Sequence, residues 1–193
     1  MTEAEMLKWA GQGLLVGVVA MAAVTELARG KIYNWLTYPA ILAGLALGAA
    51  RGAAAGDGAW DGLADSALGF GFGFGVLFLA YVLGGMGGGD VKLMGAVGAF
   101  LGWPGALYAT FYSFLVAAVI GLVTMVWRGQ TWAVLQRLGV GIRLLAVPGV
   151  RAEEAVPPGA LRVPFGLAAC IGSVWWMAEA YAGRSLWETV MRL

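Results

Sequence analysis

Long stretches without a single charge constrain this chain more than any other feature. They run from Trp9 to Thr25, Ile32 to Ala50, Ser66 to Gly89, Leu93 to Trp127 and Val163 to Ala178. A helix that crosses a bilayer needs about 20 apolar residues. The run from Leu93 to Trp127 is too long for one crossing, and Trp103-Pro104-Gly105 interrupts it with a turn signal. Six crossings are therefore expected, with helices over about 9–27, 37–52, 66–85, 86–103, 105–127 and 162–182. The fourth is short if counted from Leu93, so it must begin near Met86, which places Asp90 in its first turn or two. The first stretch lacks a strongly basic start and is read as a permanent helix.

Composition agrees. Charged residues are 12% of the 193, about half the fraction usual in a soluble domain, and hydrophobic residues are 61%. Thirty-two glycines without a repeat suit close helix–helix contact in lipid. The expected fold is an all-α polytopic membrane protein forming a single domain over 1–193. With no histidine and one cysteine, Cys170, the chain lacks His-dependent hydrolysis, a disulfide framework and a multi-cysteine zinc site. Neither cofactor nor metal is expected. A net charge of +1 without a basic stripe gives no sign of a nucleic-acid partner.

Orientation follows from the basic residues. Arg29, Lys31, Lys92, Arg128, Arg137, Arg143, Arg151 and Arg162 fall on one side of the six crossings, and Lys8, Arg51, Arg184 and Arg192 on the other. The first set is twice the second and is expected in the cytoplasm. Over 131–147, Trp132, Leu135, Leu138, Ile142 and Leu145 recur at three- or four-residue spacing around Gln136, Arg137 and Arg143. This predicts an amphipathic helix lying in the cytoplasmic interface. Most tryptophans read as interface or packing residues.

Carboxylates at a membrane boundary are costly and tend to be functional. Glu26 ends the first helix, and Asp90 opens the fourth within Gly-Gly-Met-Gly-Gly-Gly-Asp-Val-Lys. Two crossings separate them, so parity places both on the cytoplasmic side, whereas Asp57, Asp61 and Asp65 fall on the opposite side. Two neighbouring carboxylates can share one proton. The ionised member can activate water and the protonated one can polarise a peptide carbonyl, which is aspartyl-protease chemistry. Gly87, Gly88 and Gly89 leave backbone uncovered, where an extended substrate could pair as an added strand. The bland readings are a snorkelling Glu26, glycines that only pack helices, and Arg29 and Lys92 as positive-inside anchors.

Three stretches resemble the type IV prepilin peptidases, membrane aspartyl proteases of the GxGD kind. They are Thr25-Glu26-Leu27-Ala28-Arg29-Gly30-Lys31-Ile32-Tyr33-Asn34 with the residues through Pro39, then Gly87-Gly88-Gly89-Asp90-Val91-Lys92, then Val163-Pro164-Phe165-Gly166. The resemblance implies removal of the basic leader from a prepilin or pseudopilin precursor at the cytoplasmic face of a bacterial inner membrane. It implies Glu26 and Asp90 as the catalytic pair, with Gly87, Gly88, Gly89, Asn34, Lys92 and Pro164 around the substrate. The short length and missing four-cysteine insertion resemble the form associated with tight-adherence (Flp-type) pili, without N-methylation. Tyr33 stands where the family commonly has Pro, and Glu26 where it has Asp. The Glu26 departure leaves open an inactive relative that binds pilin-like helices. A small proton-coupled transporter carrying protons on Glu26 and Asp90 is the reading from another class.

Overall fold

The computed structural model describes residues 2–129 and 163–183. The predicted interfacial helix at 131–147, the loop with Glu153 and Glu154, and Arg137, Arg143, Arg151, Arg162, Arg184 and Arg192 lie outside the described residues. Among those described, every regular element is an α-helix: α1 (Glu3–Arg29), α2 (Asn34–Ala55), α3 (Ala59–Val82), α4 (Gly88–Trp127) and α5 (Phe165–Ala182). Helices α1 to α4 are each long and apolar enough to cross a membrane. The chain divides into two compact units, Met1–Val116 with Pro164–Leu193 and Ala117–Val163. The contacts discussed below belong to the first.

Local chemistry sets the helix ends. Thr2 and Glu5 cap α1 reciprocally, each side chain accepting the other's backbone N–H. At its far end Gly30 turns left-handed (φ 65°) and donates to the Glu26 carbonyl at 2.7 Å. Helix α3 closes with the paired bonds of a Schellman turn: Gly85 N–H to Ala80 O and Gly84 N–H to Tyr81 O, with Gly84 at φ 77°.

Observed and expected helix starts differ at α2, α3 and α4. Helix α2 begins at Asn34 rather than 37, because Pro39 lies early in the helix and removes one backbone donor without ending it. Helix α3 begins at Ala59 rather than 66, since Asp61 and Asp65 sit within its first turns instead of before them. Helix α4 begins at Gly88 rather than near Met86, after the turn that closes α3.

The first arm of α4 is deeply buried. From Val91 to Phe100 its side chains are buried apart from the half-buried Lys92. Such all-round burial requires neighbours at close range, and glycines allow it. A side chain at Gly98 would strike the Gly69 backbone of α3, and one at Gly52 of α2 would strike Gly62 of α3. Large apolar residues such as Leu42, Leu68, Leu79 and Phe111 face outward, the arrangement expected when hydrocarbon is the solvent.

The 40-residue α4 is broken at Gly102 (φ 74°, ψ −176°), next to the Trp103-Pro104-Gly105 signal. Asp65 Oδ1 accepts the Trp103 N–H at 3.1 Å, so a carboxylate from α3 satisfies a donor at the start of the second arm. Beyond the break the chain packs along α5: Gly105 approaches Trp176 and Ser113 approaches Gly172. Tyr112 donates to Glu179 Oε2 at 2.7 Å, and Trp175 donates to Glu179 Oε1 at 2.8 Å.

Candidate active site

The end of α1, the start of α2 and the start of α4 meet around a cleft of about 340 Å³. Glu26, Gly30, Lys31, Ile32, Tyr33, Asn34, Gly87, Gly89 and Asp90 line it. The two carboxylates come from helices far apart in sequence and interact electrostatically.

Each carboxylate is held by backbone donors. Asp90 is the third residue of α4, and its Oδ2 accepts the Gly87 N–H at 3.2 Å. An acid at this position reaching back to the residue before the helix forms half of a capping box. Glu26 reaches across to the start of α5, where its Oε2 accepts the Gly166 N–H at 2.6 Å and the Leu167 N–H at 3.3 Å. These are first-turn donors without an intrahelical partner, and the helix dipole favours an acid there. Charge-assisted bonds of this kind contribute roughly 1.5–3 kcal/mol each. Glu26 thus ties the end of α1 to the beginning of α5.

The other predicted site residues fall around this pair in different ways. Gly87 and Gly89 line the cleft, whereas the open side of Gly88 faces the Tyr81 ring. Asn34 lines the cleft and accepts from Lys92 Nζ at 2.9 Å. Lys92 also lies 4.9 Å from the centre of the Tyr38 ring. Pro164 immediately precedes α5, where its fixed φ suits a helix start. Lys92 and Pro164 are therefore neighbours of cleft-lining groups rather than cleft walls.

Two features escaped the sequence reading. One is the pair of N–H donors at Gly166 and Leu167; a glycine just after a proline-led helix start was the available signal. The other is Ile32, which lines the cleft with both acids and faces Gly89 and Gly166. Asp57, Asp61 and Asp65 line a separate cleft of about 560 Å³ with Lys8 and Arg51, at the opposite ends of α1 and α2. Among the described residues, no cluster of three or more Cys, Asp or Glu is placed to hold a metal ion.

Apolar helices long enough to cross a membrane, packed around a cleft that holds two carboxylates, define a multi-pass membrane protein. Residues 13–122 match the type IV leader peptidase family, and the chain belongs to that family. It is also similar to two prepilin leader peptidase/N-methyltransferases of Burkholderia pseudomallei, from strains 1026b and K96243. Each is 32% identical over 118 residues, covering 61% of this chain and 38% of the relative. The chain thus matches well under half the length of these relatives. No solved structure matches it.

Proposed function

We propose that this chain is an aspartyl-type endopeptidase of the bacterial inner membrane, which removes the basic leader from type IV, Flp-like prepilins at the cytoplasmic face. One observation carries the reading: Glu26 and Asp90 line the same cleft, although they come from different helices. The described backbone donors bond to Oε2 of Glu26 and Oδ2 of Asp90. The second oxygen of each is then the natural partner for a water and a scissile carbonyl. The ionised carboxylate takes a proton from water as it attacks, while the protonated one donates to the carbonyl oxygen. The tetrahedral intermediate collapses as the amine leaves with a proton returned by the pair.

Six crossings accompany this proposal, with α4 counted as two around the break at Gly102. The first arm, 88–101, is about 21 Å long at 1.5 Å per residue, shorter than a hydrocarbon core of about 30 Å. Asp90 therefore lies at or below the membrane surface, where the apolar helix of a precursor can bring its cleavage site. Gly87 and Gly89 offer backbone for an extended substrate, and Asn34 and Lys92 hold the α2 side of the cleft. A prepilin is the only macromolecular partner proposed besides the lipid bilayer.

Glu26 motivates one alternative, an inactive relative that binds pilin-like helices. Its longer arm is used to reach α5 at 2.6 Å, which holds the carboxylate away from where a shorter Asp would place it. Cleavage of an Flp-type precursor in liposomes by the unmodified chain and by its Glu26→Asp and Asp90→Asn forms separates the readings. Cleavage by the unmodified chain that vanishes in Asp90→Asn is the expected result. Cleavage by Glu26→Asp alone would establish the inactive relative, and cleavage surviving in Asp90→Asn would refute the mechanism.

A further inference from the structure

We infer that Ile32 is a positioning residue that sets the separation of Glu26 and Asp90, acting as a spacer between Gly89 and Gly166. The inference rests on the proposed use of these two acids as a pair. Ile32 lies in the short turn between α1 and α2 and is half-buried in the cleft lining. A side chain at Gly89 would sit 3.0 Å from Ile32 Cβ and 3.3 Å from its carbonyl oxygen. A side chain at Gly166 would sit 3.2 Å from Ile32 Cδ1 and 2.8 Å from Glu26 Oε2. One end of the isoleucine therefore faces the residue before Asp90, and the other faces the residue whose N–H holds Glu26.

Ile32 thus stands between three elements: the turn from α1 to α2, the start of α4 and the start of α5. The start of α4 carries Asp90, and the start of α5 carries the two donors to Glu26. Both starts bear a glycine where Ile32 approaches them: its Cβ and backbone face Gly89, and its Cδ1 faces Gly166. A β-branched residue has few rotamers, which makes it a stiffer spacer than an unbranched one. Its apolar surface makes no demand on the protons of the pair. The charged groups lining the cleft are Glu26, Lys31 and Asp90, with the phenol of Tyr33.

Shortening the spacer lets the starts of α4 and α5 approach or tilt. A displacement of about 1 Å at a catalytic group can cost on the order of a hundredfold in rate. Ile32→Val keeps Cβ, which faces Gly89, and both γ carbons, and loses only the Cδ1 that faces Gly166, so it falls between the parent and Ile32→Ala, which loses the γ carbons as well. Gly166→Ala pushes on the same two side chains from the opposite direction. Its added carbon meets the movable end of Glu26, so the fold accommodates it while the carboxylate shifts.

The experiment measures prepilin cleavage in liposomes for the parent, Ile32→Val, Ile32→Ala and Gly166→Ala. Carboxyl titration is followed by infrared difference spectroscopy on the same proteins, with bands assigned from Glu26→Gln and Asp90→Asn. The expected result is a graded fall in kcat, reaching on the order of tenfold to a hundredfold in Ile32→Ala, with KM nearly unchanged and the carboxyl titration displaced. Thermal unfolding in detergent verifies folding, and Ile32→Val carries the comparison if Ile32→Ala does not fold. Parent-like kcat and titration in the folded variants would overturn the inference. So would a change in KM alone, which would make Ile32 a substrate contact. If no form cleaves, a displaced titration supports the spacer while the peptidase reading falls, and an unchanged titration overturns the spacer as well.

Discussion

The two ends of the helix bundle both hold carboxylates that cap helix starts, and their surroundings differ. At the end with Asp57, Asp61 and Asp65, Asp65 accepts a backbone donor from Trp103 and interacts electrostatically with Arg51. At the other end, Glu26 and Asp90 also accept backbone donors, and they interact with one another. Under the proposed function, capping a helix therefore does not by itself separate a structural acid from a chemical one. The difference lies in what stands opposite. Asp65 sits beside a cation and a chain break that needs a cap. Glu26 and Asp90 sit beside a second acid and glycine backbone.

If this contrast is right, substitutions at the two ends should separate activity from stability. The largest expected effect is Asp90→Asn, which should abolish prepilin cleavage in a liposome assay. The amide preserves an acceptor for the Gly87 N–H, so the melting temperature in detergent should move little. A large loss of stability would mean that Asp90 is mainly a structural cap like Asp65. The next effect belongs to the opposite end. Gly102→Ala puts a side chain at φ 74° and against the Asp65 carboxylate. Backbone strain there costs roughly 1–3 kcal/mol, read as a lower melting temperature with residual cleavage per folded molecule preserved.

Much of this contrast was legible in the sequence because charges are rare in an apolar chain. Glu26 and Asp90 stood out as boundary acids, and counting crossings placed them on one side. The break near Pro104 was legible for a similar reason, since an apolar run of that length cannot make a single span. What could not be read were the partners. Asp65 and Trp103 are 38 residues apart and Glu26 and Gly166 are 140 apart, and no local pattern encodes a helix cap supplied by another helix. Glu179 was passed over as the residue ending an apolar run, whereas Tyr112 and Trp175 bond to it. The α3 start was placed too late because the expected span began only after the last charge, Asp65, whereas the helix already includes Asp61 and Asp65. Acids are tolerated in the opening turns of a helix.

Asp65→Ala should cost less than Gly102→Ala, because it removes a cap without forcing the backbone. Loss of a capping acid costs about 0.5–2 kcal/mol, and unfolding in detergent would register it. Cleavage of the precursor should stay at the parent level in the folded protein. A cleavage defect as severe as that of Asp90→Asn would break the contrast between the two ends, since it would couple the α4 break to the chemistry.

Tyr112→Phe tests the contrast at its weakest point, the carboxylate at neither cleft. The hydroxyl gives Glu179 a short bond between the second arm of α4 and α5, and in water a charge-assisted bond would contribute about 1.5–3 kcal/mol. Within a membrane the average measured contribution of an interhelical side-chain bond is only about 0.6 kcal/mol, because the unfolded reference also finds partners. Trp175 continues to donate to Glu179 after the substitution, and the aromatic ring is retained for stacking on Trp175. The smaller figure should therefore hold, with a slight fall in melting temperature and unchanged cleavage. A loss of several kcal/mol would show that this carboxylate is anchored more tightly than Asp65. A loss of cleavage without a loss of stability would instead move Glu179 from packing into the chemistry, and the division between one reactive end and one structural end would no longer describe the molecule.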